Sequence, residues 1–198
     1  MEFNYLEFLN NFQYNSILIL SFFFICFCTL ILKYITNGAS NKLLFSTYRS
    51  SLLNPLTYVR FFTHILGHQS WKHFSNNFIL ILLVGPIIEE KYGTENLLIM
   101  ILITAFVTGV VHNLISKNRL LGASCINFML IVLSSFTNLE IGKIPITFIL
   151  IFLFYIVDEI IDTILQKDDN ISHMGHVIGA ICGCVFGFYL MHYNSFFS

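Results

Sequence analysis

Charge is what this chain has least of. Asp, Glu, Lys and Arg make up 11% of its 198 residues, against roughly 25% in soluble domains. Hydrophobic residues make up 56%, and the mean hydropathy is +0.76. That shortage excludes an ordinary soluble domain and marks an integral membrane protein. An excess of one sign is missing too: the net charge of −1 points to no nucleic-acid partner. The first fifteen residues hold Glu2 and Glu7 but no Lys or Arg, so the basic start of a cleavable signal peptide is absent. The first apolar run is therefore expected to stay in the mature protein. CxxC pairs are also lacking. The cysteines at 26, 28, 125, 182 and 184 all lie in apolar stretches, which argues against a disulfide framework or a structural zinc site. They read as small hydrophobes.

Apolar runs are abundant. A spanning helix needs about 20 mostly apolar residues, and six windows come close: 14–35, 72–90, 96–115, 122–139, 144–165 and 173–193. NGASNK, EEKYGTEN, SKNR, NLEIGKIP and QKDDN separate them. With no internal repeat and no room for a soluble domain, the expected fold is all-α, polytopic, a single six-helix membrane domain over 1–198. The segment 36–71 is mixed in polarity and rich in aromatics, and is expected to form short helices lying in the interface, with a turn at Asn54-Pro55. Placing the amino terminus in the cytoplasm puts Lys42, Arg49, Arg60, Lys72, Lys117, Arg119 and Lys167 outside, leaving Lys91 and Lys143 in the inner loops. The positive-inside rule favours the opposite topology, although a partly embedded first loop counts for less.

Polar groups at membrane depth cost about 2.5 to 3.5 kcal/mol per charge on insertion scales and commonly mark function. Three openings carry them here. The second window starts WKHFSNN, so His73 and Asn77 are i and i+4 on one helix face. The fourth starts GASCIN, with Ser124. The sixth starts SHMGHVIGAICG, with His176 on the face of Gly179, Gly183 and Gly187, a spacing that lets another helix backbone approach closely. In a six-helix alternation the second, fourth and sixth helices run the same way, so these openings gather on one side of the membrane.

The chemistry that fits is nucleophilic. A serine hydroxyl needs a base, and His is suited to that near neutral pH. His73, Asn77 and the Ser124 N–H supply donors for an oxyanion, each commonly worth about 2.7 to 4 kcal/mol. The bland readings are that Ser124 bonds to its own helix and that a single His at a helix start is structural. GASCI is also not the GxSxG elbow of soluble hydrolases.

Taken together, these residues resemble the rhomboid family of intramembrane serine proteases over roughly 55 to 190. The resemblance is carried by His73-x-x-x-Asn77, Gly122-Ala123-Ser124, His176-x-x-Gly179-x-x-x-Gly183, Glu89-x-x-x-Gly93 and the loop TYVRFFTHILGH. It implies Ser124 as nucleophile and His176 as general base, with His73, Asn77 and the Ser124 amide as oxyanion hole. It implies a water-filled cavity opening to the non-cytoplasmic side of the cell membrane, with QKDDNIS as a lid whose Asp168 and Asp169 influence which substrates approach. It also implies that Phe128 stacks on the catalytic His in place of an orienting acid, whose loss costs about 10⁴ in the serine triad, so turnover is expected to be slow. The expected partners are the bilayer and the transmembrane helices of substrate proteins, with Gly, Pro or polar residues near their outer ends and small residues at the scissile position. No cofactor or metal is implied. Two departures from the family pattern are Cys125, where a glycine is common, and Val59 before Arg60, where a Trp is frequent.

Three other readings stay open. His64 and His68, or His173 and His176, suggest a metal site, but HILGH lacks the glutamate of HExxH, and hydrogen bonds holding the first loop suit His64 and His68 better. A catalytically inactive rhomboid-like protein would bind or chaperone membrane helices, though such proteins usually lack Ser or His of the dyad. A transporter finds its one hint in Asp158, Glu159 and Asp162, which read more simply as interfacial residues.

Overall fold

A computed structural model describes residues 15–137, 143–144, 146–151, 153 and 173–194. Within them the regular structure is helical: α1 (Ile17–Ile35), α2 (Ala39–Leu43), α3 (Pro55–Thr63) running into a 3-10 turn (His64–Leu66), α4 (Trp71–Tyr92), α5 (Thr94–Ile115), α6 (Ser124–Ser134), α7 (Ile146–Ile151) and α8 (His173–Asn194). The sole extended pairing among the described residues is an isolated bridge between Thr47 and Leu120. Most of the fifth apolar window, its acidic residues Asp158, Glu159 and Asp162, and the QKDDNIS segment lie outside the described residues.

Among the described residues, three helices are long and apolar enough to cross a membrane: α1, α5 and the part His173–Leu190 of α8. The 22-residue α4 is as long, but its polar ends, WKHFSNN and EEK, dilute its hydropathy. The fourth window departs most from expectation. Its helix has 11 residues, about 16 Å at 1.5 Å per residue, roughly half the thickness of a bilayer's hydrocarbon core.

That short helix is the centre of the molecule. α8 packs on it most extensively, and α4 and α5 close around it. Ile126, Met129, Leu130, Val132 and Leu133 have no exposed surface. Outward, α1 presents Ile17, Phe24, Ile25 and Ile35, α4 presents Ile79, Leu83 and Ile87, and α8 presents Ile181 and Val185. In water such faces would aggregate; lipid solvates them. Because lipid tails are as apolar as these side chains, close packing and hydrogen bonds hold the helices to one another.

Two polar clusters do that work away from α6. Glu89, near the end of α4, is buried and accepts hydrogen bonds from the Ser16 hydroxyl, Leu18 N–H (3.0 Å), Ile19 N–H (3.2 Å) and Thr94 Oγ1 (2.8 Å). It thus supplies the first turn of α1 with the acceptors that every helix start needs, and ties it to α5. The first loop forms the second cluster. Arg60 on α3 is buried, donates to Leu43 O (2.8 Å) and lies 4.8 Å from the Tyr48 ring centre. Despite Val59 before it, this arginine anchors the loop. Asn54 caps α3 through Leu56 N–H (3.0 Å), with Pro55 in the first turn. The loop then reaches across to the segment preceding α6. Thr47 and Leu120 exchange backbone bonds of 2.9 and 2.8 Å, Arg49 N–H donates to Ser116 O (3.0 Å), and Gly122 N–H donates to His64 O (3.0 Å).

Candidate active site

α6 starts at Ser124, with Ala123 as its N-cap. As first residue of the helix, Ser124 has a backbone N–H with no acceptor inside the helix. The turn before it depends on Gly122, whose φ of +123° is closed to most side chains. Space forbids a side chain there as well: a Cβ on Gly122 would lie 2.7 Å from His73 Cε1, 2.8 Å from His73 Nε2 and 3.7 Å from Asn77 Nδ2. The backbone two residues before Ser124 therefore presses against the face of α4 that carries His73 and Asn77.

Both of those side chains are oriented. Ser70 caps α4 by accepting His73 N–H (3.1 Å). Gln69 N–H donates to His73 Nδ1 (3.5 Å), so the proton of the neutral ring sits on Nε2, the nitrogen facing Gly122. Asn77 is buried, and its Oδ1 accepts from Asn127 Nδ2 (2.8 Å). Its Nδ2 has no hydrogen-bond partner among the described residues. Two N–H donors thus converge on the start of α6.

α8 brings the base. Gly179 sits directly on the backbone of Cys125: a Cβ there would lie 2.1 Å from Cys125 O. At Gly183 it would lie 2.7 Å from Met129 O, so the contact continues for a further turn. This approach seats His176, one turn before Gly179, beside the first turn of α6. The His176 ring is buried and stacks on Phe128, with centroids 4.4 Å apart and planes inclined by 11°. His73 and His176 are within electrostatic reach of each other, and His173 lies edge-on to His176 at 6.3 Å.

Cys125 does not obstruct this packing. The tight contact with Gly179 involves the Cys125 backbone, while its buried thiol faces Thr108 and Cys182.

The loop histidines lie behind the site. His68 packs edge-on to His73 (5.2 Å) and Phe74 (5.3 Å), with its Nδ1 3.2 Å from Leu66 O. Burial, reinforced by the neighbouring His73, pushes its pKa down to about 3. His64 Nε2 is 3.0 Å from Ala105 O. Burial pushes His64 down to about 4, the Ala105 carbonyl opposing and His112 assisting. Both rings are therefore neutral across the physiological range.

Sequence reasoning passed over Asn127. Its signal was present: an amide in the otherwise apolar run after Ser124, at i+3 and so on a neighbouring face of the same helix. The His64 carbonyl, which positions Gly122 through the backbone, left no trace in residue type.

A family model described as Rhomboid domain matches residues 55–193. No curated protein matches the chain. The matched stretch holds every site residue named above, and the chain belongs to the rhomboid family, whose members are generally intramembrane serine proteases.

Proposed function

We propose that this protein is an intramembrane serine endopeptidase, hydrolysing a peptide bond in or next to the transmembrane helix of a substrate protein. The observation that carries the reading is the Phe128–His176 stack. Phe128 lies one turn beyond Ser124 on the same face, so a ring stacked on it is held over the nucleophile's turn. His176 takes the Ser124 proton as Oγ attacks the scissile carbonyl. The resulting oxyanion is met by His73 Nε2–H, Asn77 Nδ2–H and the Ser124 N–H. His176 then protonates the departing amine, and water, activated by the same base, frees the acyl group from Ser124. Stacking on Phe128 orients the imidazole, as a carboxylate does in other serine proteases.

The proposal includes one membrane domain with six spans in the cell membrane, the bilayer and substrate helices as its partners, and a site opening to the non-cytoplasmic side. Because α6 is short, its start sits below the membrane surface, where an extended substrate backbone meets donors already arranged. The charge count against this orientation loses weight where cations serve the fold. Arg60 is buried on Leu43 O, and Arg49 Nη2 donates to Leu114 O. Cysteine introduced at exposed Lys117 should react with impermeant reagents from outside; labelling from the cytoplasmic side alone reverses the orientation.

The test is cleavage of a transmembrane reporter by purified protein in liposomes. Wild type should cleave and take up a fluorophosphonate probe, whereas Ser124→Ala and His176→Ala should do neither. Equal behaviour of all three would leave the alternative, a rhomboid-like protein that binds membrane helices without cutting them.

A further inference from the structure

We infer that Asn127 is a positioning residue: by donating to Asn77 Oδ1 it turns Asn77 Nδ2 toward the oxyanion. The inference rests on the protease reading above. Ser124 has two neighbours one turn along α6. Phe128, at i+4, holds the base on α8, and Asn127, at i+3, holds the donor on α4. The Asn127–Asn77 bond is 2.8 Å long and buried, with Asn127 7% exposed and Asn77 5%.

An amide is ambiguous in a way that an imidazole or a backbone N–H is not. Rotated by half a turn, Asn77 would spend its N–H on a neighbour and present a carbonyl oxygen, whose lone pairs repel an oxyanion. The face of α4 cannot make that choice, because Gly122, which lies opposite Asn77, has no side chain to offer. Asn127 makes it from below. With its N–H₂ directed at Asn77 Oδ1, the Asn77 N–H₂ is left without a protein acceptor among the described residues, as is the buried Asn127 Oδ1 without a donor. Developing negative charge in the transition state gives that N–H₂ a charged acceptor, a stronger bond than any neutral ground-state partner offers.

The experiment compares Asn127→Leu and Asn127→Asp with wild type, in the full chain in liposomes, by kcat and KM on the reporter. The leucine variant frees Asn77 to rotate, and kcat should fall about tenfold with KM little changed, less than the 10²–10³ expected on losing a donor outright. The aspartate variant is the sharper one. Burial keeps the new carboxyl protonated near neutral pH, where its O–H donates as the amide does; ionised at alkaline pH it only accepts and draws the Asn77 N–H₂ away from the site. Its kcat relative to wild type should fall as pH rises, toward the level of Asn77→Ala. Inhibition by a peptide aldehyde, which forms a tetrahedral adduct on Ser124, should weaken in parallel. Binding of uncleaved substrate to Ser124→Ala should be unaffected by adding either substitution. Asn127→Ser, a smaller change in shape, should follow the leucine variant and guards against loss through misfolding. Wild-type kcat in both main variants, a loss confined to KM, or an aspartate variant no worse than the leucine one at alkaline pH overturns the assignment. Failure of wild type to cleave at all instead overturns the protease reading itself.

Discussion

The two ends of α4 treat buried polar groups in opposite ways. Glu89 gathers four donors from α1 and α5 and leaves none of its carboxylate short of a partner. About 18 Å along the same helix by its rise, Asn77 has one half of its amide held by Asn127 and the other half unspent. A satisfied cluster is glue, since each of its members would be costly to bury alone. An open donor facing the start of α6 can meet something that the folded chain does not itself contain. On the protease reading proposed above, the contrast is between groups that hold the rhomboid fold and groups that meet the substrate, although all of them are polar residues in apolar helices.

If that contrast is sound, substitutions at the two ends should divide cleanly between rate and stability. The largest effect is expected from Asn77→Ala, which should lower kcat by about 10²–10³; it also strips the buried Asn127 N–H₂ of its acceptor, so kcat and melting are compared in the Asn127→Leu background, where adding Asn77→Ala should leave the melting temperature in detergent nearly unchanged. A further fall in melting there would place Asn77 with the structural groups. Next in size is the acid response of the loop behind the site. His64 has its pKa held at about 4 in the folded protein, against a usual 6.5, so between these values the unfolded chain binds more protons. Its contribution is fully present above pH 6.5 and is lost as pH falls toward 4, about 3 kcal/mol over that range. His68, held at about 3, extends the loss to lower pH. Thermal melts recorded down that range should show the decline, and His64→Gln should flatten part of it.

Glu89→Gln comes third. The substituted amide keeps one acceptor oxygen, so some of the four donors lose their partner at about 1–3 kcal/mol, and melting should shift while kcat of the folded fraction holds. A drop in kcat without a change in melting would erase the distinction between the two ends. The smallest effect is expected for Phe128→Leu, which keeps the bulk but removes the ring stack, worth about 0.5–1.5 kcal/mol. Read on kcat, that is a fall of no more than about tenfold; an unchanged kcat would mean that Gly179 packing alone holds His176.

How far the arrangement was legible in the sequence depends on the range of the interaction. His73 and Asn77 share a face because i and i+4 always do in a helix, and Gly179 could be read as a point of close approach because small residues at helical spacing permit it. Which helix it would approach was not settled by that spacing; the packing of Gly179 on the Cys125 backbone shows it to be α6. Contacts without periodicity stayed hidden. Ser16 and Glu89 are 73 positions apart, and the Thr47–Leu120 bridge joins two stretches whose residue types suggest no strand. The length of α6 was overread, because an apolar run reports compatibility with lipid, whereas the helix proper runs only from Ser124 to Ser134. Cys125 looked like an intrusion for a related reason: spacing showed that α6 and α8 approach closely, but not that the backbone rather than the thiol makes the contact.

The bond from Gly122 N–H to His64 O sets a limit on how freely the first loop can vary. The loop's 3-10 turn and the turn before Ser124 are spliced together by the backbone, so any slippage of the one is inherited two residues before the start of α6. Misplacing a reacting group by about 1 Å can cost about 10²-fold in rate. On the protease reading proposed above, tolerance in this loop is therefore set by the accuracy that the chemistry demands, and substitutions that leave the protein folded and inserted would silence it through register alone.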